Sequence, residues 1–170
     1  MFKHILMPTD GSEHSERAVE RGIELAKLCG AKVTGIHVMH DRRFIDSGDG
    51  WIDAVAGETL EEEGRAQAAA FLAFVERAAE AAGVQCETVV EANNHPFDAI
   101  VDTANACGCD LIVMTGRCRR GLVSTLMGSE ATRVLHRSSI PVLTFRAIMS
   151  SDHPDKRGET GAEADTAIAA

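Results

Sequence analysis

Two stretches of the chain carry side chains suited to holding a nucleoside or an anion. The first is Pro8-Thr9-Asp10-Gly11-Ser12. A carboxylate at the end of a strand accepts hydrogen bonds from an adenine amino group or a ribose hydroxyl. The same residue types also cap helices, and on residue type alone Asp10 or Ser12 as a cap is the simpler account. The second stretch reads Met114-Thr115-Gly116-Arg117-Cys118-Arg119-Arg120-Gly121, continues from Leu122 to Met127, and ends Gly128-Ser129-Glu130. Backbone N–H groups and the dipole at a Gly-Ser helix start favour an anion. Arg117 and Arg119 are candidate phosphate clamps, because guanidinium forks bind phosphate oxygens in pairs. A solvated turn with surface arginines is the alternative. No Gly-Lys-Ser/Thr follows at the spacing of a Walker loop.

No poised general base accompanies these stretches. His14 reads as a helix-surface residue and His37 as a packed strand histidine. Cys118 stands among arginines, which lower a thiol's pKa, so redox sensing is one reading and a small residue filling a turn is the simpler one. Cys107-Gly108-Cys109 lacks the second Cys/His pair of a zinc site, and no metal is expected. The five cysteines form no paired framework, and the opening Met1 to Pro8 is too short for a secretory core. Both features predict reduced thiols in a cytoplasm.

The elements that must position these residues alternate. Short apolar runs occur at Ile5-Leu6-Met7, Lys32 to Val38, Cys86 to Val90, Asp110 to Met114 and Ile140 to Phe145. Between the first two, Ala18, Gly22, Leu25, Ala26 and Cys29 recur at helical spacing before a stop at Gly30. A second helix carries Leu60, Phe71, Phe74, Val75, Ala78 and Ala82 and ends at Gly83. A third opens at His95-Pro96, where a proline's missing N–H costs nothing, and a fourth opens near Gly128-Ser129. This alternation predicts a doubly wound α/β fold, a parallel sheet covered on both faces. Ligands of such sheets bind beyond the carboxyl ends of the strands, where strand order reverses. Residues 40–57 read as a long loop beside that edge, either a lid or a surface loop.

Of 170 residues, 45% are apolar and 25% charged, which is ordinary globular usage and predicts one domain over residues 1–147. Residues 148–170 hold no aromatic residue and read as a polar, disordered tail. The net charge is −9, of which the last twenty residues supply −3. Nucleic-acid binding depends on Lys and Arg displacing counterions, so an acidic body argues against a nucleic-acid partner. No apolar stretch approaches the ~20 residues of a membrane helix, and no membrane partner is expected.

From Phe2 to Arg146 the chain resembles the universal stress protein family. The resemblance lies in Lys3-His4-Ile5-Leu6-Met7-Pro8-Thr9-Asp10-Gly11-Ser12, His37-Val38, Asn94-His95-Pro96, Asp110 to Met114, Gly128-Ser129 and Ile140-Pro141-Val142-Leu143, in the family's order and spacing. It implies a five-stranded parallel sheet ordered 3-2-1-4-5, of the adenine-nucleotide α-hydrolase-like kind. It also implies homodimers through the last strands, here Pro141 to Arg146. ATP-binding members carry Gly-x2-Gly-x9-Gly-Ser/Thr after the fourth strand. Counted back from Gly128, Thr115 and Cys118 stand at the first two glycine positions, and Gly116 follows one place late. The added Cβ atoms narrow the approach of a phosphate to the backbone.

Carried over residue by residue, the resemblance places Asp10 at the adenine or ribose edge, with Thr9 and Val38 forming the base slot. Met114 and Thr115 line the nucleoside. Gly128, Ser129 and Glu130 offer N–H groups to the phosphates, with the Ser129 hydroxyl adding a further bond. The expected function is a non-catalytic ATP-binding stress protein, with Mg2+ on the phosphates and at most slow hydrolysis. The alternative is a dimeric regulator or scaffold that no longer binds nucleotide. Ligases of the same architecture resemble Ser-Gly-Gly-x-Asp-Ser after the first strand, and this chain lacks that glycine pair.

Overall fold

The structure is a computed structural model, described for residues 1–41, 54–117 and 129–147. Its elements run β1 (His4–Pro8), α1 (Glu13–Cys29), β2 (Lys32–Met39), α2 (Ala54–Ala82), β3 (Cys86–Ala92), α3 (Pro96–Ala106), β4 (Leu111–Arg117), α4 (Ser129–Arg137) and β5 (Val142–Ala147). The strands form one five-stranded sheet in the order β3-β2-β1-β4-β5, and every pairing is parallel.

Residue alternation along the central strands divides the core. Ile5, Met7, Leu111 and Val113 face one side, where Val19, Ile23 and Ala26 of α1 and Val75 and Ala79 of α2 cover them. Leu6, Ile36, Ile112 and Met114 face the other, covered by Ile100, Val101 and Ala104 of α3 and Ala131 and Val134 of α4. Ile5, Leu6, Ile36 and Ile112 are wholly buried, and full burial of such a side chain contributes about 1.5–3 kcal/mol. Helix α1 lies very close to the sheet. A Cβ on Gly22 would sit 2.8 Å from Met7 Cε and 3.1 Å from Val113 Cγ1.

At the amino ends of the strands, Asp110 pins β4 to β1. Its carboxylate accepts from the amides of Lys3 at 2.8 Å and His4 at 3.0 Å, while its own amide donates to the His4 carbonyl at 2.9 Å. The buried His4 ring donates from Nδ1 to the Cys107 carbonyl at 3.1 Å, and its Nε2 lies 2.7 Å from Thr34 Oγ1.

Strand order reverses between β1 and β4, so the crevice between their carboxyl ends is the topological switch point. Two boundaries differ from the sequence reading. The loop expected over 40–57 gives way to helix at Ala54, because Ala and Glu after that point sustain helical hydrogen bonding. The loop expected to open at Met114 starts later. Thr115, Gly116 and Arg117 continue β4 and pair with Phe145, Arg146 and Ala147. Ladder bonds to β5 extend the strand past its apolar run. The expected polar tail lies outside the described residues.

Candidate functional site

The turn after β1 is built on short-range hydrogen bonds. Ser12 takes an extended conformation, with φ −76° and ψ 151°, and caps α1 by accepting from the Ser15 amide at 3.3 Å. Asp10 Oδ1 in turn accepts from the Ser12 amide at 3.1 Å and from its hydroxyl. Capping therefore falls to Ser12, and Asp10 shapes the turn before it. Buried Thr9 accepts from the Gly11 amide at 3.2 Å and lies 3.1 Å from Ser15 Oγ. Ser15 Oγ itself donates to the Ser12 carbonyl at 2.8 Å.

Two rings, one from β2 and one from α2, hold this turn. His37 Nδ1 donates to the Thr9 carbonyl at 2.8 Å, which places the proton on Nδ1. The Phe71 ring stands edge-on to His37, with centroids 5.2 Å apart and planes at 70°. Gly11 adopts φ +71°, and a Cβ there would come within 2.1 Å of the Phe71 ring. Only glycine fits this position, for conformation and for space.

Beside the turn a cleft of about 300 Å3 opens at the switch point. Pro8, Thr9 and Asp10 form one margin, and Ile36, His37 and Val38 of β2 form another. Met114 and Thr115 of β4 lie beneath, Pro96 and Ile100 of α3 stand opposite, and Glu130 and Ala131 begin the wall from α4. An apolar floor under a few polar groups suits a flat heterocycle with a polar substituent. Thr115 is half-buried, and its hydroxyl lies 3.4 Å from the Phe145 carbonyl, toward β5.

Glu130 brings a second carboxylate to the cleft. Its Oε1 accepts from Arg133 Nη1 at 3.3 Å, and its Oε2 is enclosed without a hydrogen-bond partner among the described residues. Arg133 also lies over the Phe97 ring at 5.3 Å, and Arg137 donates to Asp98 at 2.9 Å, so α4 is tied to α3 along the rim.

The structure thus brings together Thr9, Asp10, Val38, Met114, Thr115 and Glu130 of the residues singled out from sequence. Gly116 and Arg117 belong to β4, and Ser129 is the first residue of α4. Cys118, Arg119 and Gly128 lie outside the described residues. Pro8, Ser15, Ile36, Pro96, Ile100 and Ala131 also line the cleft, as does His37, which residue type and strand position suggest only as a packing residue. Ile36 had a signal in the period of β2, which sets it on the same face as Val38. Pro96 had one as the first residue of its helix. Among the described residues, no group of three or more His, Cys, Asp or Glu is arranged to hold a metal, and no helix is long and apolar enough to cross a membrane. The buried Cys109 thiol is not among the residues that line this cleft. Burial, then the neighbouring Cys107, pushes its pKa up to about 12.

The sequence model of the universal stress protein family matches residues 1–146. The chain belongs to the universal stress protein family. The universal stress protein MJ0531 of Methanocaldococcus jannaschii is 34% identical over 146 residues, covering 86% of this chain and 83% of that protein. Among solved structures, protein MJ0577 of the same organism superposes with a TM-score of 0.66 at 27% identity, covering 88% of this chain and 99% of the other. A universal stress protein solved in complex with cAMP superposes with a TM-score of 0.59 at 26% identity, covering 85% of this chain and 97% of that one. The sheet order expected from the family resemblance is the one observed.

Proposed function

We propose that this universal stress protein binds an adenine nucleotide in the cleft between β1 and β4 and works as a non-catalytic stress-response protein of the cytoplasm. The observation that carries the reading is the cleft itself. It lies at the switch point, has Asp10 at its edge and an apolar bed of Ile36, Val38 and Met114, and opens toward the start of α4. The base would lie on that bed, with Asp10 accepting from the amino group or ribose. Arg117, Arg119, Gly128, Ser129 and Glu130 would be the phosphate contacts, with ATP and its Mg2+ as the fullest ligand. The cAMP complex of a relative 26% identical supports the ligand class.

Calorimetric titration with AMP and with ATP, with and without Mg2+, tests the reading. Binding that weakens about tenfold in Asp10→Asn is the expected result, the loss of one polar contact of ~1.4 kcal/mol. No heat and no thermal shift with any of these ligands would overturn it. That result favours a regulator without nucleotide, for which the side chain of Thr115 at the cleft floor is the supporting observation.

We also propose a homodimer through β5, expected from sequence at Pro141 to Arg146. β5 is an edge of the sheet, and Leu143 on it is 38% exposed. An unpaired edge with an apolar side chain favours strand pairing with a second copy. Light scattering should give twice the chain mass, and Leu143→Lys should shift it toward the monomer.

A further inference from the structure

We propose that Cys107 and Cys109, on the turn between α3 and β4, form a reversible disulfide when the protein meets a hydroperoxide. The pair stands at the amino ends of the strands and shares no residue with the cleft.

Backbone bonds fix the turn at each of its residues. The Cys107 amide donates to the Thr103 carbonyl at 2.9 Å, the Gly108 amide to that of Asn105 at 3.1 Å, and the Cys109 amide to that of Ala104 at 2.8 Å. Between the cysteines, Gly108 takes φ +68°, the left-handed close of a helix end. Two chain steps fully extended span about 7 Å, at the limit of the ~4.4–6.8 Å between Cα atoms that a disulfide tolerates. A left-handed residue in the middle folds those steps back and brings the two Cα atoms within that window. Direction agrees with distance. Cys109 is buried in the core cluster under α3 and α4, and Cys107 packs against the same cluster, so both side chains leave the turn on one side. The pair also interact electrostatically. After burial, Cys107 is the next cause that raises the Cys109 pKa.

Unequal access sets the order of steps. Cys107 is half-buried, whereas Cys109 is 6% exposed. Space is open beside the turn, where a Cβ on Gly108 would meet no atom within 4 Å beyond its chain neighbours. The Cys107 thiolate therefore takes the oxidant. Its sulfur bonds the terminal peroxide oxygen, the O–O bond breaks, and an alcohol or water leaves. Cys107 is oxidised by two electrons to a sulfenic acid, and the peroxide is reduced. Loss of the Cys107 charge removes one of the causes that keep the proton on Cys109. The Cys109 sulfur then attacks that of Cys107. The S–S bond forms, the S–O bond breaks, and hydroxide leaves with the Cys109 proton as water. Burial closes Cys109 to outside reagents but not to a neighbour on its own turn. A ring this small is strained, and strained disulfides are the readily reduced ones.

Cleavage before Asp102 and Asp110 releases residues 102–109, which contain these two cysteines and no other, so mass spectrometry of that peptide tests the proposal. The folded full chain is treated with hydrogen peroxide at neutral pH, and its remaining thiols are then blocked in urea. Most of the peptide should be lighter by two hydrogen atoms and carry no blocking group, and reduced glutathione should restore both thiols. Cys109→Ser should stop the reaction at Cys107, where dimedone traps the sulfenic acid. In the wild type, ring closure should outrun that trap. Two free thiols in the peptide from peroxide-treated protein overturn the proposal. So does dimedone capture of wild-type Cys107 as complete as in Cys109→Ser, or a disulfide from either cysteine to any other. An oxidised peptide that glutathione cannot reopen overturns its reversibility.

Discussion

His37 Nδ1 donates to the backbone carbonyl of Thr9 at 2.8 Å, so a side chain at the end of β2 holds the turn that carries Asp10. The two residues are 28 positions apart in the chain. Parallel pairing of β1 with β2 brings them level, with Pro8 opposite Ile36. His37 therefore connects sheet register to the position of a candidate ligand contact.

Replacing His37 by Ala should loosen that turn. The Thr9 carbonyl loses its imidazole donor, which costs about 1 kcal/mol of stability. Nucleotide affinity should fall about fivefold as Asp10 loses its fixed position. Urea unfolding and calorimetry read the two effects separately. An unchanged affinity would show that the turn holds its shape without the imidazole.

Gly11 and Phe71 should be coupled. Gly11→Ala places a Cβ at positive φ and within 2.1 Å of the Phe71 ring. The expected loss is about 2–4 kcal/mol, from conformation and overpacking together. Phe71→Ala removes the steric part, so the double variant should be more stable than the sum of the single losses allows. Strict additivity in a double-mutant cycle would refute the contact.

Stability should depend on pH through His4. Burial, then the nearby Lys32 charge, lowers its pKa below the ordinary 6.5. The folded state therefore favours the neutral ring, and the unfolded chain takes up protons first as pH falls. Its contribution is whole above pH 6.5 and is lost as pH falls through the lowered value. Urea midpoints should drop between pH 7 and pH 5, and His4→Asn should show a smaller drop. Asp110 acts in a lower window. Partial burial pushes its carboxyl up, but the His4 and Lys3 amides outweigh this and hold it below 3.8. Its contribution persists above pH 3.8 and disappears as pH falls below that.

Cys109 should be inert in the native protein. With a pKa pushed up to about 12 and 6% exposure, it offers almost no thiolate at neutral pH. Iodoacetamide at pH 7.5 should leave it unlabelled until urea unfolds the chain. Mass spectrometry of the peptides would detect early labelling, and the same digest reports whether Cys118 behaves as a sensor.

The order of strands and helices was legible because each element carries its own periodicity. Ile5-Leu6-Met7 and Leu111 to Met114 are too uniformly apolar for an exposed strand, and Gly30 and Pro96 mark helix ends by backbone restriction alone. The family's spacing then gave the sheet order. Element ends were less legible. Thr115 to Arg117 look like loop by composition and become strand because β5 offers them hydrogen bonds, which no local pattern encodes.

For the site, residue type and spacing determined that Thr9, Asp10, Val38, Met114, Thr115 and Glu130 were worth attention. Tertiary structure decided what each of them does. Ser12 takes the cap and leaves Asp10 at the cleft's edge, His37 reaches across to Thr9, and Phe71 arrives from α2 to close over Gly11. Glu130 looked like one more amide donor in the chain, yet packing of α4 against α3 places its carboxylate on the cleft wall. Local chemistry is written residue by residue, whereas which groups share one cleft depends on how sheet and helices pack.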